Sequence, residues 1–236
     1  MAVRIWLASL DGVDLTAAQG SFSAPELARA EKITSEDRRK RFLARRWIAR
    51  SLLAGATGEA PGELVLERRC ERCGGLHPAN RFPTEAGEVW WSASSSNGLA
   101  AVALAEWRVG LDLERRAERR RWRGIAGRFY TEAERDAIAG SSQRFLDFWT
   151  LKEAYLKALG LGLSGGLRSL DCAGLAPAAD EWSASDAHPG WRFRNFEPEP
   201  GFTAAVAVEG VPDDIEVRRW SPEIGETDEA AGMRRG

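Results

Sequence analysis

The sequence predicts an α+β fold built from two similar α/β subdomains. Two pairs of matching segments support this prediction. "GLAAVALAE", which begins at Gly98, has a counterpart in "GFTAAVAVE", which begins at Gly201, and "RRWIARSLLAG" has a looser counterpart in "FWTLKEAYLKALG". Both pairs occur in the same order, at offsets of roughly a hundred residues. This agreement favours a duplicated α/β unit, and a ligand site is then expected in the cleft between the halves.

The predicted elements follow the hydrophobic pattern along the chain. A strand-like start, "VRIWLASL", precedes a loop and then a helix in "SEDRRKRFLARRWIARSLLAGATG", where Gly55 supplies a stop. "EVWWSASSSNGLAAVALAEWRVGLDLE" predicts two strands around a Ser/Asn/Gly turn. After an Arg-rich connector we expect a helix near Thr131 to Ile138, a second helix in "DFWTLKEAYLKALGLG", and a strand-rich second half.

The composition narrows the classes of protein to consider. The 236 residues, 44% of them hydrophobic, suffice for one large domain or two small ones in close contact. A formal net charge of −2 gives no general attraction to nucleic acid or membranes, so we expect neither as a partner. The N-terminal apolar run is too short for a signal peptide, and no later stretch approaches the ~20 apolar residues of a membrane span. Three cysteines suggest no disulfide framework, and a cytoplasmic protein is predicted.

The segment "DFWTLKEAYLKALGLG", from Asp147 to Gly162, places a charge where an apolar residue is expected. At about 100° per residue, its large apolar side chains fall on one broad arc, and Lys152 lands in the middle of that arc. An unpaired buried charge costs on the order of several kcal/mol, comparable with the net stability of a domain. We therefore predict that an anionic group meets Lys152.

Paired carboxylates occur in "VGLDLE", where a strand would place Asp112 and Glu114 on one side and the leucines on the other. Taken alone, this D-x-E pattern is typical of a solvated strand end. With Glu153 as a third oxygen ligand, the set could hold Mg²⁺. Alternatively, Glu153 and Lys157 form an i,i+4 ion pair on the helix, which would leave Lys152 unexplained.

These segments match the paired signature of a known family. "VGLDLE" followed by "FWTLKEAYLKALGLGL" resembles the G-[VI]-D-[IVL]-E and W-x-x-K-E-[AS]-x-x-K motifs of the 4′-phosphopantetheinyl transferases, at the family's spacing. The resemblance covers residues 35–208, and the length is that of the surfactin-synthetase-activating, pseudo-dimeric branch. It implies two subdomains related by a pseudo-twofold axis, with the active site in the cleft between them. The implied boundaries are 1–107 for the N-terminal subdomain, 108–221 for the C-terminal subdomain and 222–236 for a flexible tail.

The resemblance also implies which residues form the site. The metal ligands would be Asp112, Glu114 and Glu153. Catalytic groups would be Glu153, Lys157, Lys152 and, in "RFYTEAERDAI", Glu134. Coenzyme A would be bound by Arg41 and Arg46 at its 3′-phosphate, by Ser94 and Ser95 of "WSASSSNG", and by Lys152 and Lys157.

The implied reaction moves 4′-phosphopantetheine from coenzyme A to a serine of an acyl or peptidyl carrier protein and releases 3′,5′-ADP. The resemblance implies Mg²⁺ as cofactor, with Mn²⁺ as a substitute. The implied substrates are carrier proteins of polyketide and nonribosomal peptide synthesis, that is, of secondary metabolism. The implied activity is of the holo-[acyl-carrier-protein] synthase type, in a monomer. The base that takes the serine proton could be Glu153, Glu134 or a metal-bound water.

Two segments depart from the family pattern. Ser95 stands where the family usually has histidine, so a charge-assisted contact to the coenzyme's phosphates is missing. "GGLHPANRFP" matches the family's H-G-K-P segment only at His77. These departures raise a rival hypothesis, a catalytically weak homologue that binds coenzyme A or a carrier protein. They leave the carboxylate and lysine set intact.

Two other patterns predict different sites. Cys70, Cys73 and His77 have a spacing compatible with zinc, although a closed site needs a fourth ligand; a small reduced-thiol turn is the alternative. "DRRKRFLARR" and "ERRAERRRWR" could form a basic binding patch, which is a second rival hypothesis. Under the transferase hypothesis, Arg119 to Arg121 would instead meet an acidic carrier-protein helix.

Overall fold

The structure is a computed structural model that describes residues 2–69, 74–116, 122–161, 166–175 and 181–221. The helices within these ranges are α1 Ala24–Glu31, α2 Glu36–Thr57, α3 Trp122–Phe129, α4 Glu132–Ile138 and α5 Ser142–Leu159. The strands are β1 Val3–Ser9, β2 Glu67–Arg69, β3 Leu76–Pro78, β4 Arg81–Thr84, β5 Gly87–Ser96, β6 Leu99–Ala105, β7 Val109–Arg115, β8 Ser183–Ser185, β9 His188–Phe196, β10 Phe202–Glu209 and β11 Ile215–Arg219.

The predicted α+β class is confirmed, since two sheets each carry a long helix. The first sheet has the order β11-β1-β6-β5-β4 and the second has β7-β10-β9-β8. α2 packs on the first sheet through Ile48 and Leu52, against β6 residues such as Val102. α5 packs on the second sheet through Phe148 and Ala154, among other buried side chains. The repeated Ala-rich segments form β6 and β10, the inner strands that these helices cover.

A third apolar cluster joins the two sheets. It combines Ile5 and Ala101 of the first sheet with Leu111 and Val206 of the second. The alternation predicted for "VGLDLE" is therefore correct, because the leucines of β7 enter this shared core. The opposite side of β7 is left for polar residues.

The end of the described chain returns to the first sheet. β11 pairs in parallel with β1, and Trp220 donates its backbone N–H to Leu7 O at 2.9 Å. β11 lies in the sequence within the predicted C-terminal subdomain, yet it belongs to the sheet of the N-terminal one. The boundary at residues 107 and 108 stays a prediction.

Local sequence signals explain most element ends. Asn97 and Gly98 both have positive φ, 52° and 87°, and form the tight turn predicted between β5 and β6. The predicted stop at Gly55 is wrong, because α2 continues to Thr57 and ends at Gly58, which takes the left-handed conformation.

Helix α1 lies in a segment where the sequence predicts only a loop. Its start has a capping box in which Ser23 and Glu26 satisfy each other's backbone N–H groups. Among the described residues, no helix combines the length and the apolar character of a membrane span.

Candidate active site

Serine hydroxyls of β5 form hydrogen bonds with β7 and so connect the two sheets where these strands are adjacent. The hydroxyl of Ser92 accepts a hydrogen bond from Leu111 N at 3.0 Å, and that of Ser94 donates to Asp112 Oδ1 at 2.9 Å. Ser96 donates to Glu114 Oε2 at 3.1 Å. The period of two along both strands aligns these pairs. Alternate β5 serines thereby meet the polar side of β7, which carries both predicted carboxylates.

Gly110 lets α5 approach β7 closely. A Cβ at this position would overlap Ala154 O and lie 2.6 Å from Ala158 N. Since only glycine lacks a Cβ, helix and strand backbones can touch here without distortion. Glu153 and Lys157 flank Ala154 and Ala158 on α5, so this contact sets the height of their side chains above Asp112.

Lys157 lies at the centre of the junction. Its ammonium donates to Asp112 Oδ1 at 2.7 Å, to Ser94 Oγ at 2.9 Å and to Leu111 O at 3.1 Å. The side chain retains 28% of its exposure, so it borders solvent while contacting strands from both sheets. The helix end that carries it is also held by the connection before β4, because Asn80 Nδ2 donates to Lys157 O at 3.2 Å.

The three predicted metal ligands are electrostatically coupled. Burial and the negative charges of Asp112 and Glu114 raise the pKa of Glu153 to about 7, against the opposing effect of Lys157. Within the described residues, Asp112 Oδ2 is buried without a hydrogen-bond partner. A buried, unpaired carboxylate oxygen beside two further carboxylates is a donor set that fits a hard divalent cation.

The cation site is not closed in this arrangement. Among the residues that the structure describes, no group of three His, Cys, Asp or Glu side chains is gathered closely enough to hold an ion at once. Lys157 instead supplies the positive charge next to Asp112. Binding of a cation by all three carboxylates would therefore need Glu114 and Glu153 to move toward Asp112.

The prediction that Lys152 faces an anionic ligand is wrong for this structure. Lys152 and Glu134 are both fully buried and form an ion pair at 2.6 Å. The ammonium also donates to Leu167 O at 2.7 Å and to Leu170 O at 2.5 Å, which uses all three of its donors. Tyr130 adds its ring face at 5.1 Å. The anion that Lys152 required is an internal glutamate, and no donor is left for a phosphate.

Glu134, the partner of Lys152, is also not placed to act as a general base at the junction. Its Oε2 accepts from Thr131 N and its Oε1 accepts from Cys172 N, both at 2.8 Å. The same side chain closes the capping box at the start of α4. Both oxygens are occupied and out of contact with solvent, so the structure does not bring Glu134 to the junction.

An open pocket of about 500 Å³ lies at the turn between β5 and β6. It is lined by Leu10, Ile33, Arg38, Arg41, Phe42, Arg45, Ser95, Ser96, Asn97 and Gly98. Ser96 lines the pocket and also donates to Glu114, so one side chain links the pocket wall to the carboxylates of β7. Of the arginines in the wall, Arg41 makes a two-pronged ion pair with Asp11, at 2.7 and 3.1 Å.

Arg46 does not reach this pocket, which corrects the second predicted phosphate contact. Its guanidinium pairs with Glu67 and lies 3.4 Å from Glu26 Oε1. On an α-helix, Arg46 is rotated by about 140° from Arg41, whereas Arg45 at i+4 shares its face. Arg45 therefore lines the pocket and donates to Ser95 Oγ at 3.1 Å. The i,i+4 spacing in the sequence could have identified it.

Several predictions concern residues outside the described ranges. Cys70 and Cys73 are not described, nor is the side chain of His77, so the zinc prediction stays untested. Arg119 to Arg121, the predicted carrier-protein contact, and the predicted tail 222–236 also lie outside. Trp149 is described; its ring lies 6.1 Å from that of Phe145, and its partly buried side chain packs against the apolar cluster beneath the second sheet's helix.

Comparisons with known proteins agree with these motifs. The profile of a family described as the 4′-phosphopantetheinyl transferase superfamily matches residues 108–207, which contain every predicted carboxylate and lysine. The chain is 32% identical over 216 residues to the 4′-phosphopantetheinyl transferase HetI of Nostoc sp., with 88% of each chain covered. It is 28% identical over 173 residues to a Synechocystis sp. protein named "Putative 4′-phosphopantetheinyl transferase slr0495", with 71% of this chain and 68% of that protein covered.

Proposed function

The chain belongs to the 4′-phosphopantetheinyl transferase superfamily, and on that premise we propose that it transfers the 4′-phosphopantetheine group of coenzyme A to a serine of acyl or peptidyl carrier proteins. In this reaction the serine oxygen forms a bond to the β-phosphorus. The bond from that phosphorus to the bridging oxygen breaks, and 3′,5′-ADP leaves with the electron pair. The serine proton passes to a base.

One observation carries the proposal. Lys157 of α5 contacts Ser94 of the first sheet and Asp112 of the second, and Ser96, two residues after Ser94 on β5, lines the arginine pocket. A ligand with a pyrophosphate and a further phosphate needs two cationic places separated along one groove. The junction at Lys157 suits the pyrophosphate, and the arginine pocket suits the more distant phosphate.

The protein's own groups can position the reaction. Lys157 would move from Asp112 toward the leaving phosphate, where its charge stabilises the oxygen that accumulates negative charge. Glu153 lies beside the same place, close to Asp112 and Lys157, and is the candidate base of this proposal. Glu134 is not proposed as the base, because both of its carboxylate oxygens accept hydrogen bonds inside the protein.

Asp112, Glu114 and Glu153 would hold Mg²⁺, or Mn²⁺ in its place. When bound, the cation would neutralise charge on the pyrophosphate. The unpaired buried Oδ2 of Asp112 supports this assignment. So do the negative charges of Asp112 and Glu114, which add to the effect of burial in raising the pKa of Glu153.

The finer assignments belong to the same proposal. The helix-covered sheet in each half and the chain length favour the surfactin-synthetase-activating, pseudo-dimeric branch. In this proposal the protein acts as a monomer in the cytoplasm. Carrier proteins of secondary metabolism would be the substrates, in a holo-[acyl-carrier-protein] synthase type of activity.

The test is to incubate the protein with a panel of apo carrier proteins, coenzyme A and Mg²⁺, and to measure the intact mass of each carrier. We expect at least one carrier to gain the mass of one phosphopantetheine arm. Coenzyme A binding without any gain across the panel would support the weak homologue instead. Absence of both binding and transfer would support the basic-patch binding protein.

A further inference from the structure

The two lysines of α5 differ in their surroundings. Lys152 is fully buried against Glu134 and two backbone carbonyls, so its ammonium is a permanent part of the core. Lys157 is also bonded at all three of its donors, but its side chain keeps 28% of its exposure. The ammonium of Lys157 can therefore leave its partners for a ligand without opening the core.

The partners of Lys157 are oxygen atoms of both sheets. Its ammonium lies 2.7 Å from Asp112 Oδ1, 2.9 Å from Ser94 Oγ and 3.1 Å from Leu111 O. Carboxylate and carbonyl oxygens around one positive charge are also the surroundings that a hard metal cation prefers. Lys157 thus neutralises the carboxylate that the proposed Mg²⁺ site requires.

Ser94 holds the ammonium on this carboxylate. Its hydroxyl accepts a hydrogen bond from Lys157 and donates one to Asp112 Oδ1, both at 2.9 Å, so the three side chains form a triangle. Because the residue is only 7% exposed, its hydroxyl has little freedom to turn toward solvent. Ser94 therefore strengthens the ion pair without carrying a charge of its own.

A divalent cation and the ammonium would compete for Asp112. The second oxygen of this carboxylate, Oδ2, is buried and has no hydrogen-bond partner among the described residues. A cation bound to Oδ2 would share one carboxylate with the Lys157 ammonium, and the two positive charges would repel each other at close range. The ion pair therefore lowers the affinity of the protein for the cation, and binding of the cation favours departure of the ammonium.

We propose that Lys157, held by Ser94, is an internal competitor of the divalent cation, so that the cation binds tightly once coenzyme A has drawn the ammonium off Asp112. The inference rests on the proposed function, in which the pyrophosphate of coenzyme A lies next to Lys157. An anion at that place gives the ammonium a new partner and frees Asp112 at the same time. By reciprocity, the cation tightens the binding of coenzyme A by the same factor.

The first experiment measures the affinity of the full chain for Mn²⁺ by electron paramagnetic resonance, without coenzyme A. Lys157→Met removes the competing charge and should bind Mn²⁺ about 10-fold tighter than wild type, or more, as expected for release of a charged hydrogen-bond pair. Ser94→Ala changes no charge but loosens the ion pair, and should bind Mn²⁺ about two- to fivefold tighter. Lys157→Arg keeps the charge and should bind it no tighter than wild type. Lys40→Met, the same replacement at an exposed lysine of α2, should stay within about twofold of wild type.

The second experiment measures the linkage between the two ligands. Coenzyme A is titrated calorimetrically into the protein with and without saturating Mg²⁺, after correction for binding of Mg²⁺ to free coenzyme A. Mg²⁺ should increase the affinity for coenzyme A by a larger factor in wild type than in Lys157→Met, because the variant has no ammonium to displace.

The outcomes separate this inference from the proposed function. Unchanged or weaker Mn²⁺ binding by Lys157→Met would overturn the inference and leave the proposed function standing. An equal effect of Mg²⁺ on coenzyme A binding in wild type and Lys157→Met would also contradict it. Failure of the wild type to bind coenzyme A with or without Mg²⁺ would overturn the proposed function itself. Thermal unfolding of each variant detects misfolding, and Ser94→Ala retains the test if Lys157→Met does not fold.

Discussion

At the scale of single residues, the buried Lys152–Glu134 ion pair holds α5 and α4 to the chain that follows α5. Lys152 ties α5 to the carbonyls of Leu167 and Leu170, and Glu134 ties α4 to the backbone of Cys172. Every donor and acceptor of the pair has a partner at full burial. Such a pair contributes through the cost of breaking it more than through its net strength.

Replacing one residue of the pair should therefore lower the stability of the protein. We expect Lys152→Met to lower the free energy of unfolding by about 3–5 kcal/mol, because Glu134 would be left as an uncompensated buried charge. Urea denaturation measures this loss. The double variant Lys152→Met with Glu134→Gln should recover part of it, and the exposed Asp136→Asn serves as a control near wild type. A Lys152→Met protein of unchanged stability that no longer binds coenzyme A would contradict this account and return Lys152 to the ligand site.

The sequence could predict that Lys152 needs an anion but not which one. The amphipathic pattern of α5 showed that a charge enters the apolar arc, and burial physics demanded a partner. Glu134 lies on a different helix, and its distance from Lys152 is set by how α4 packs against α5. By contrast, Asp112 and Glu114 were placed correctly on one side of a strand because period two is a local property.

At the scale of elements, the contact between α5 and β7 positions the site. Gly110 and the backbone at Ala154 touch, and this contact places Glu153 and Lys157 above Asp112. The glycine occurs within the signature motif, but its cause is visible only when helix and strand are brought together. By contrast, the sequence alone predicts the β5–β6 hairpin at Asn97 and Gly98, since both residue types tolerate positive φ.

Gly110→Ala should separate α5 from β7. We expect the free energy of unfolding to fall by about 1–3 kcal/mol, as for other overpacked sites, and transfer to slow more than stability alone explains, because Lys157 would shift from Asp112. Circular dichroism during denaturation and a transfer assay at low temperature measure the two effects. Gly124→Ala in α3, where a Cβ meets nothing within 4 Å, is the matched control and should gain slightly in stability. Unchanged stability and transfer in Gly110→Ala would show that the close approach is not required.

At the scale of the whole molecule, the two halves share one core and one returning strand. The cluster that includes Ile5, Ala101, Leu111 and Val206 spans both sheets, and Trp220 donates its indole N–H to Ser51 at 2.9 Å after β11 has joined β1. Internal repeats in the sequence predict two units. The return of β11 could not be predicted, because pairing between the two ends of a chain leaves no local pattern.

A shared core predicts cooperative unfolding. In urea, the tryptophan fluorescence and the far-ultraviolet circular dichroism should follow one coincident transition, since neither half can expose its inner face alone. Trp220→Ala, which removes a largely buried side chain, should lower the free energy of unfolding by about 3 kcal/mol without splitting the transition. The exposed Val211→Ala is the control. Two separated transitions in the wild type would show that the halves are independent domains.

The most direct test of the proposed active site is the intact mass of an apo carrier protein after incubation with coenzyme A, Mg²⁺ and either wild-type protein or the variants Asp112→Ala and Glu153→Gln. We predict that the wild type adds one phosphopantetheine arm and that each variant does so slower by about two orders of magnitude or more, because a carboxylate that would hold the cation is missing. Their denaturation midpoints should stay close to that of Asp136→Asn. Transfer at near wild-type rates by both well-folded variants would contradict the assignment of the site.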